Sequence, residues 1–141
     1  MNIPELQIAI DAEDPHLLNR FWAAAFEYEI EDHHDMIEGV IAAGHATEDD
    51  TVEIVGRRAW KTAATSRDPE GRGPRLLFQQ VPERKTVKNR VHLDLHVGEG
   101  RRDAEVERLL GLGATKLWDG SLGPQEWVTL ADPEGNEFCV S

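Results

Sequence analysis

Apolar and polar residues alternate from Glu5 to Ala12 (ELQIAIDA), with Leu6, Ile8 and Ile10 on one face and Gln7, Ala9 and Asp11 on the other. That period of two predicts a half-buried strand. The period then changes: Leu17, Leu18, Phe21, Trp22, Ala25 and Phe26 are spaced by threes and fours, which predicts an amphipathic helix ending near Tyr28. Asp14-Pro15 marks its start, with Asp14 as N-cap and Pro15 at the first helical position, where its missing N–H costs nothing. Residues 32 to 50 are strongly acidic and predict a short helix around Met36 to Ala43. Thr51 to Ala64 predicts two short strands anchored by Val52, Ile54 and Trp60. Ser66 to Pro74, rich in Gly, Pro and charge, reads as a loop. Arg75 to Val81 (RLLFQQV) reads as a strand, and Pro82 to Asn89 as a polar, basic linker.

The cleanest alternation lies in Arg90 to Val97 (RVHLDLHV), which predicts a strand with Val91, Leu93, Leu95 and Val97 on one face and His92, Asp94 and His96 on the other. A helix follows over about Arg101 to Leu110, turning Val106, Leu109 and Leu110 inward and ending at Gly111 to Gly113. Further strands are expected near Thr115 to Trp118 and in a pair formed by Trp127 to Ala131 and Glu137 to Val140. The tight turn Asp132-Pro133-Glu134-Gly135 joins that pair.

These elements repeat. LQIAIDA and VHLDLHV share one apolar phase, placing Gln7 and His92 in equivalent positions, and each is followed by an amphipathic helix. DPEG occurs at Asp68 to Gly71 and again at Asp132 to Gly135, each time ahead of a final strand. If Phe78 and Phe138 are equivalent, the loop of the first copy is about four residues longer, and Gln79 matches Cys139. The expected organisation is one domain of two modules, residues about 1–82 and 90–141, with a linker at 83–89.

Composition narrows the function. The 141 residues include 27 acidic against 15 basic ones, a formal net charge of −12. Binding to a nucleic-acid backbone needs a concentrated basic footprint, so nucleic acid is not an expected partner. The basic run Arg84, Lys85, Lys88 and Arg90 balances the acidic surface. A hydrophobic fraction of 40% suits one sizeable core. No stretch approaches the roughly 20 apolar residues of a membrane span, so no membrane association is expected. No signal peptide is visible at the N-terminus. One cysteine excludes an internal disulfide, and the expected location is cytoplasmic.

Four runs carry a family resemblance: FWAAAFEYEI (21 to 30), LLFQQVPERKTVKNRVHLDLHV (76 to 97), LGLGATKLW (110 to 118) and WVTLADPEGNEFCV (127 to 140). Through them the chain resembles the vicinal oxygen chelate superfamily, in its glyoxalase-like, bleomycin-resistance-like branch. The resemblance implies an α+β fold: paired βαβββ modules whose curved mixed sheets form a cup, with helices outside and a small-molecule site inside. It also implies a homodimer. The branch includes glyoxalases, dioxygenases, fosfomycin-resistance enzymes and metal-free binders, so the fold leaves the function open.

In the metal-dependent members the ligands come from the first and last strands of each module. The resemblance carries those positions onto Gln7, Gln79, His92 and Cys139. The glutamate expected three residues after the asparagine of the turn is here Cys139, and two glutamines with a thiol are a poor shell for a hard cation. Alternation alone offers His92, Asp94 and His96 on one face and Glu137 on the face of Cys139. Same-face neighbours on a strand stand about 6.6 Å apart, so His92 and His96, about 13 Å apart, do not share an ion. A divalent metal would then rest on His92 with Glu137 or Asp94. The other reading makes His92, Asp94 and His96 the polar lining of a pocket that needs no cofactor, or a solvated sheet face. Trp118 and Trp127 are candidate aromatic walls for a flat ligand. His33, His34 and His45 are expected in solvent, and Cys139 as a buried structural thiol.

Two functions remain: a binder of a small, flat or cationic molecule, or a metal-dependent lyase, isomerase or dioxygenase using His92 and Glu137. An interaction domain without a ligand would rest on the inserted acidic segment 32–50 alone.

Overall fold

The computed structural model describes residues 2–141, which divide into two compact units, the first running to Pro82 and the second from Glu83 to Ser141. The chain is α+β, with helices packed on mixed sheets.

In the first unit, strand β1 (Gln7–Ala12) leads into helix α1 (Pro15–Phe26). Asp14 caps α1 by accepting the Leu17 N–H at 3.1 Å, and Glu27, in the left-handed conformation, ends it. Strand β2 (Glu29–Ile30), helix α2 (His34–Ala42), a hairpin of β3 (Thr51–Ile54) with β4 (Arg57–Trp60), then β5 (Ala63–Arg67) and β6 (Arg75–Gln80) follow. The main sheet has the order β1-β6-β5-β2, with β1 parallel to β6 and the other pairs antiparallel. Ala12, Leu76, Phe78, Ala64 and Ser66 line its buried face, against which α1 sets Leu18, Phe21, Trp22 and Ala25. Trp22 is the hub of this core, edge-on to Phe21 at 5.1 Å and stacked on Phe26 at 5.6 Å. Leu6 falls outside the strand and is exposed, against the expectation that it shares the inward face of Ile8 and Ile10.

In the second unit, helix α3 (Arg102–Leu112) precedes β7 (Thr115–Leu122), β8 (Gln125–Ala131) and β9 (Glu137–Val140), in the order β7-β8-β9. Residues 90–97 were the strongest strand expectation, yet they pair with β9 through a single parallel bridge, Leu95 with Val140. Side chains explain the shortfall. Asn89 takes both backbone groups of Glu137, donating to its carbonyl at 3.0 Å and accepting its N–H at 2.8 Å. Asp94 Oδ1 accepts the Cys139 N–H at 2.8 Å, where a regular ladder would bring a carbonyl. Leu95 then bonds the Cys139 carbonyl and the Ser141 N–H, both at 2.9 Å. The alternation survives in which way the side chains face, while the backbone ladder is partly replaced.

The two units therefore share one order, a first segment parallel to a last strand, and the pairing fixes their correspondence. Ile10 lies opposite Phe78, and Leu95 opposite Val140; Thr65 lies opposite Leu77, and Thr129 opposite Cys139. Phe78 thus corresponds to Val140 rather than to Phe138, and Gln79 to Ser141 rather than to Cys139. The counterpart of Cys139 is Leu77. The longer first loop is two residues longer, not four. Side-chain bonds repeat the pattern: Gln79 donates to Asp11 at 3.2 Å, and His96 Nδ1 lies 2.7 Å from Ser141 Oγ.

The two DPEG turns are built alike. Asp132 is buried and accepts the N–H groups of Glu134 and Asn136, both at 2.9 Å, and the Asn136 side-chain amide at 2.8 Å. Asp68 accepts the N–H groups of Glu70, Arg72 and Gly73. These aspartates are turn scaffolds of the Asx kind.

Candidate functional site

Register lays the polar face of the second unit out in rows. One row runs His92, Glu137, Ala131; the next Asp94, Cys139, Thr129, Trp118; the third His96, Ser141, Trp127, Gly120. The shift in pairing between Lys116 and Trp118 is what brings Trp118 opposite Thr129.

A cavity of about 460 Å³ lies over the second and third rows. Its wall takes in Asp94, His96, Cys139 and Ser141 from the β9 side, Trp127 with Gln125 and Glu126 from β8, and Glu99 and Arg102 from the start of α3. The volume is within the range of small-molecule sites. Of the residues singled out from sequence, Asp94, His96, Trp127 and Cys139 come together here. Trp118 stands on the same face, half exposed and off the cavity wall. His92 sits one row away beside Glu137, also off the wall. Gln7 and Gln79 belong to the first unit, where Arg75 donates to Gln7 at 2.7 Å and Gln79 is tied to Asp11.

Arg102 is the residue that the alternation did not reveal. Its side chain is 18% exposed, and its Nε–H is buried with no hydrogen-bond partner. One terminal nitrogen reaches Glu126 at 3.4 Å. A buried guanidinium N–H without a hydrogen-bond acceptor costs about 1–3 kcal/mol, and the nearest carboxylate, Asp103 Oδ1 at 3.8 Å from Nε, is too distant to supply one. Its place at the helix N-terminus adds an unfavourable dipole interaction. The one available sequence signal was Arg101-Arg102 opening a helix where acidic residues are preferred.

Gly120 is the second residue not foreseen. It lies opposite Trp127, and a methyl group built on it would meet the indole 2.6 Å from Cζ2 and closer still to Cε2 and Nε1. The ring therefore lies flat over the glycine, an arrangement in which the aromatic covers the bare backbone and the backbone fixes the ring.

The donor set does not fit a standard divalent metal centre. Among the described residues no three His, Cys, Asp or Glu side chains converge on a point. Lys88 bonds the Glu137 carboxylate directly, and with Lys85 and His92 it holds that carboxyl below the usual glutamate range. Asp94 gives one oxygen to the Cys139 N–H, and Cys139 Sγ lies 3.4 Å from Thr129 Oγ1. Cys139 is half-buried.

The histidines near the insertion differ from expectation. His45 is exposed, but His33 and His34 are half-buried and bonded. His33 Nε2 lies 2.9 Å from Thr65 Oγ1, and His34 Nδ1 accepts the Arg58 N–H at 2.8 Å.

The sequence pattern of the glyoxalase-like domain matches residues 7–141. The chain belongs to the glyoxalase-like domain family. Several solved structures share its fold. The glyoxalase-like chain is 12% identical to the fosfomycin resistance protein FosX from Mesorhizobium loti, covering 99% of this chain and 91% of that one with a TM-score of 0.62. A glyoxalase/bleomycin resistance protein/dioxygenase family enzyme from Burkholderia phytofirmans is 15% identical, with coverages of 95% and 94% and a TM-score of 0.62. The bleomycin-binding protein from Streptomyces verticillus, solved with copper(II)-bleomycin, is 13% identical, with coverages of 100% and 97% and a TM-score of 0.54. No curated protein matches the sequence. Among the described residues no helix is long and apolar enough to cross a membrane.

Proposed function

We propose that this glyoxalase-like domain binds a flat small molecule in the second-unit cavity and does so without a standard metal centre. The observation that carries the reading is Arg102, whose buried Nε–H makes no hydrogen bond, with the Asp103 carboxylate 3.8 Å away, on a wall shared with Trp127. The ligand it fits has a planar body for the indole and a carbonyl-type oxygen for the guanidinium. Asp94, Glu99 and Glu126 on the same wall disfavour a strongly anionic ligand. His96 and Ser141, already bonded to each other, offer further polar contacts on the same wall.

Cys139 supports the metal-free part, because a thiol stands where the family resemblance places a glutamate. The Streptomyces relative named for binding bleomycin gives the binding role a precedent on this fold. The single cysteine suits a reducing compartment, so the proposed setting is the cytoplasm. A second reading, a metal-dependent lyase, isomerase or dioxygenase, draws on His92 standing beside Glu137. It requires Glu137 to leave Lys88.

The test is ligand binding with metal accounted for. Protein dialysed against chelator should still bind benzamide, with chemical-shift changes at Trp127 and at the α3 start. Elemental analysis before dialysis should find less than about a tenth of an equivalent of any transition metal. Benzamide binding that appears only when metal is restored would overturn the metal-free reading in favour of the enzyme.

A further inference from the structure

The first unit has a cavity of its own, about 180 Å³, where the hairpin β3–β4 and the chain after β2 close over the edge of β5 and the start of α1. At roughly 30 Å³ per water, it has room for about six waters or one small organic molecule. One wall comes from the segment inserted between β2 and β5, which has no counterpart between β7 and β8 in the second unit.

Asn19 of α1 lines this cavity, and it is 2% exposed. Its amide nitrogen donates to the Thr65 carbonyl at 3.1 Å, while its Oδ1 is buried with no partner. A second acceptor lies close in sequence. His16 Nε2 is 2.7 Å from the Trp60 carbonyl, so that nitrogen carries the proton and Nδ1 of the neutral ring is left as an acceptor.

The charged groups of the wall are already matched within the protein. Glu31 is bonded by Arg75 at 2.5 Å, Asp32 by Arg57 at 2.5 Å, and Arg58 reaches Glu38 at 2.6 Å and Glu48 at 2.8 Å. On the wall itself Glu31 and Asp32 balance Arg57 and Arg58, so the lining carries no net formal charge to select an ion. The edge of β5 adds peptide groups. Glu31 N–H bonds the Thr65 carbonyl at 3.0 Å, and β2 does not continue along that edge. Two residues earlier Ala63, on the cavity wall, presents its own peptide groups in the same direction.

We propose that this cavity is a second binding site, separate from the one above, for a small uncharged molecule that donates N–H bonds. An amide or urea fits: its N–H groups meet Asn19 Oδ1 and His16 Nδ1, and its carbonyl meets the free edge at Ala63. The site stands or falls independently of Arg102.

Three probes of one shape test it by amide chemical-shift mapping on the full chain. They are ethylene urea, cyclopentanone, which lacks the donors, and the aminoimidazolinium cation, which carries them with a charge. Ethylene urea should shift the Asn19 side-chain amide and the Ala63 and Thr65 backbone amides saturably, with a Kd on the order of millimolar, as its few heavy atoms allow. Cyclopentanone should bind at least tenfold more weakly, and so should the cation. Asn19→Leu should abolish the ethylene urea shifts; if that variant does not fold, His16→Phe should weaken them severalfold. Equal binding of cyclopentanone, preference for the cation, or no saturable shift at these amides from any probe would each overturn the proposal. The last outcome would assign the cavity to water alone.

Discussion

Gly120→Ala is the sharpest perturbation of the candidate site, because it adds one methyl group and removes nothing. The added carbon would come well inside 3.0 Å of three Trp127 indole atoms, and a rigid bicyclic ring cannot yield as a flexible chain end would. Overpacking of this kind costs about 1–3 kcal/mol. Replacing glycine in a strand returns about 0.5–1 kcal/mol of backbone entropy. The net expectation is a destabilisation of about 1–2 kcal/mol, or a fall in Tm of roughly 3–10 °C for a chain of this size. Fluorotryptophan NMR reads the local effect, since each of the four tryptophans gives its own resonance. The Trp127 resonance should move and the other three should stay. In a Trp127→Ala background the same substitution should be neutral or mildly stabilising, so the double-mutant cycle returns a coupling of about 1–3 kcal/mol. An unchanged Tm together with an unmoved Trp127 resonance would refute the stacked arrangement, and with it the fixed aromatic wall.

Other expectations follow from the same structure. Gly111→Ala, inside α3 with nothing within 4 Å of the added carbon, should raise stability by about 0.5–1 kcal/mol in calorimetry, the opposite sign to Gly120→Ala. Asp132→Ala should cost about 2–4 kcal/mol in urea unfolding, because two backbone N–H groups and the Asn136 amide lose a charged acceptor in a buried turn. Arg75 lowers the Glu31 pKa by donating to its carboxylate, so that contact stabilises the fold above the ordinary glutamate range, near pH 4.5. It is lost as pH falls through the lower folded value. Arg75→Gln should therefore lower Tm at neutral pH and flatten the acid limb of a Tm-against-pH curve, with the two curves converging at acid pH, and curves offset equally at every pH would count against the pair.

Much of the fold was legible because local and tertiary preferences agree. The Asp14-Pro15 start of α1, its apolar stripe and the DPEG turns are each specified within a few residues. The segment 90–97 shows the limit. Its alternation predicts facing but says nothing of backbone pairing, and Asn89 and Asp94 side chains take bonds a ladder would otherwise make. The correspondence of Gln79 with Cys139 went astray because it leaned on two phenylalanines, whereas strand pairing sets the register and places Ser141 there. Asp94 and His96 could be grouped from phase alone and, with the family resemblance, so could Cys139 and Trp127. Arg102 and Gly120 could not, since one enters from a helix start and the other matters for the side chain it lacks. His33 and His34 looked solvated amid acidic neighbours, but they point back to Thr65 and to the Arg58 backbone.

The central claim is that Arg102 holds its Nε–H for a ligand oxygen, and calorimetric titration of benzamide into wild-type protein and Arg102→Leu tests it most directly. The variant should lose at least tenfold in affinity while its unliganded Tm stays level or rises, because an unpartnered buried donor has been removed. Undiminished affinity in a folded Arg102→Leu protein, or a Tm that collapses without ligand, would contradict the account.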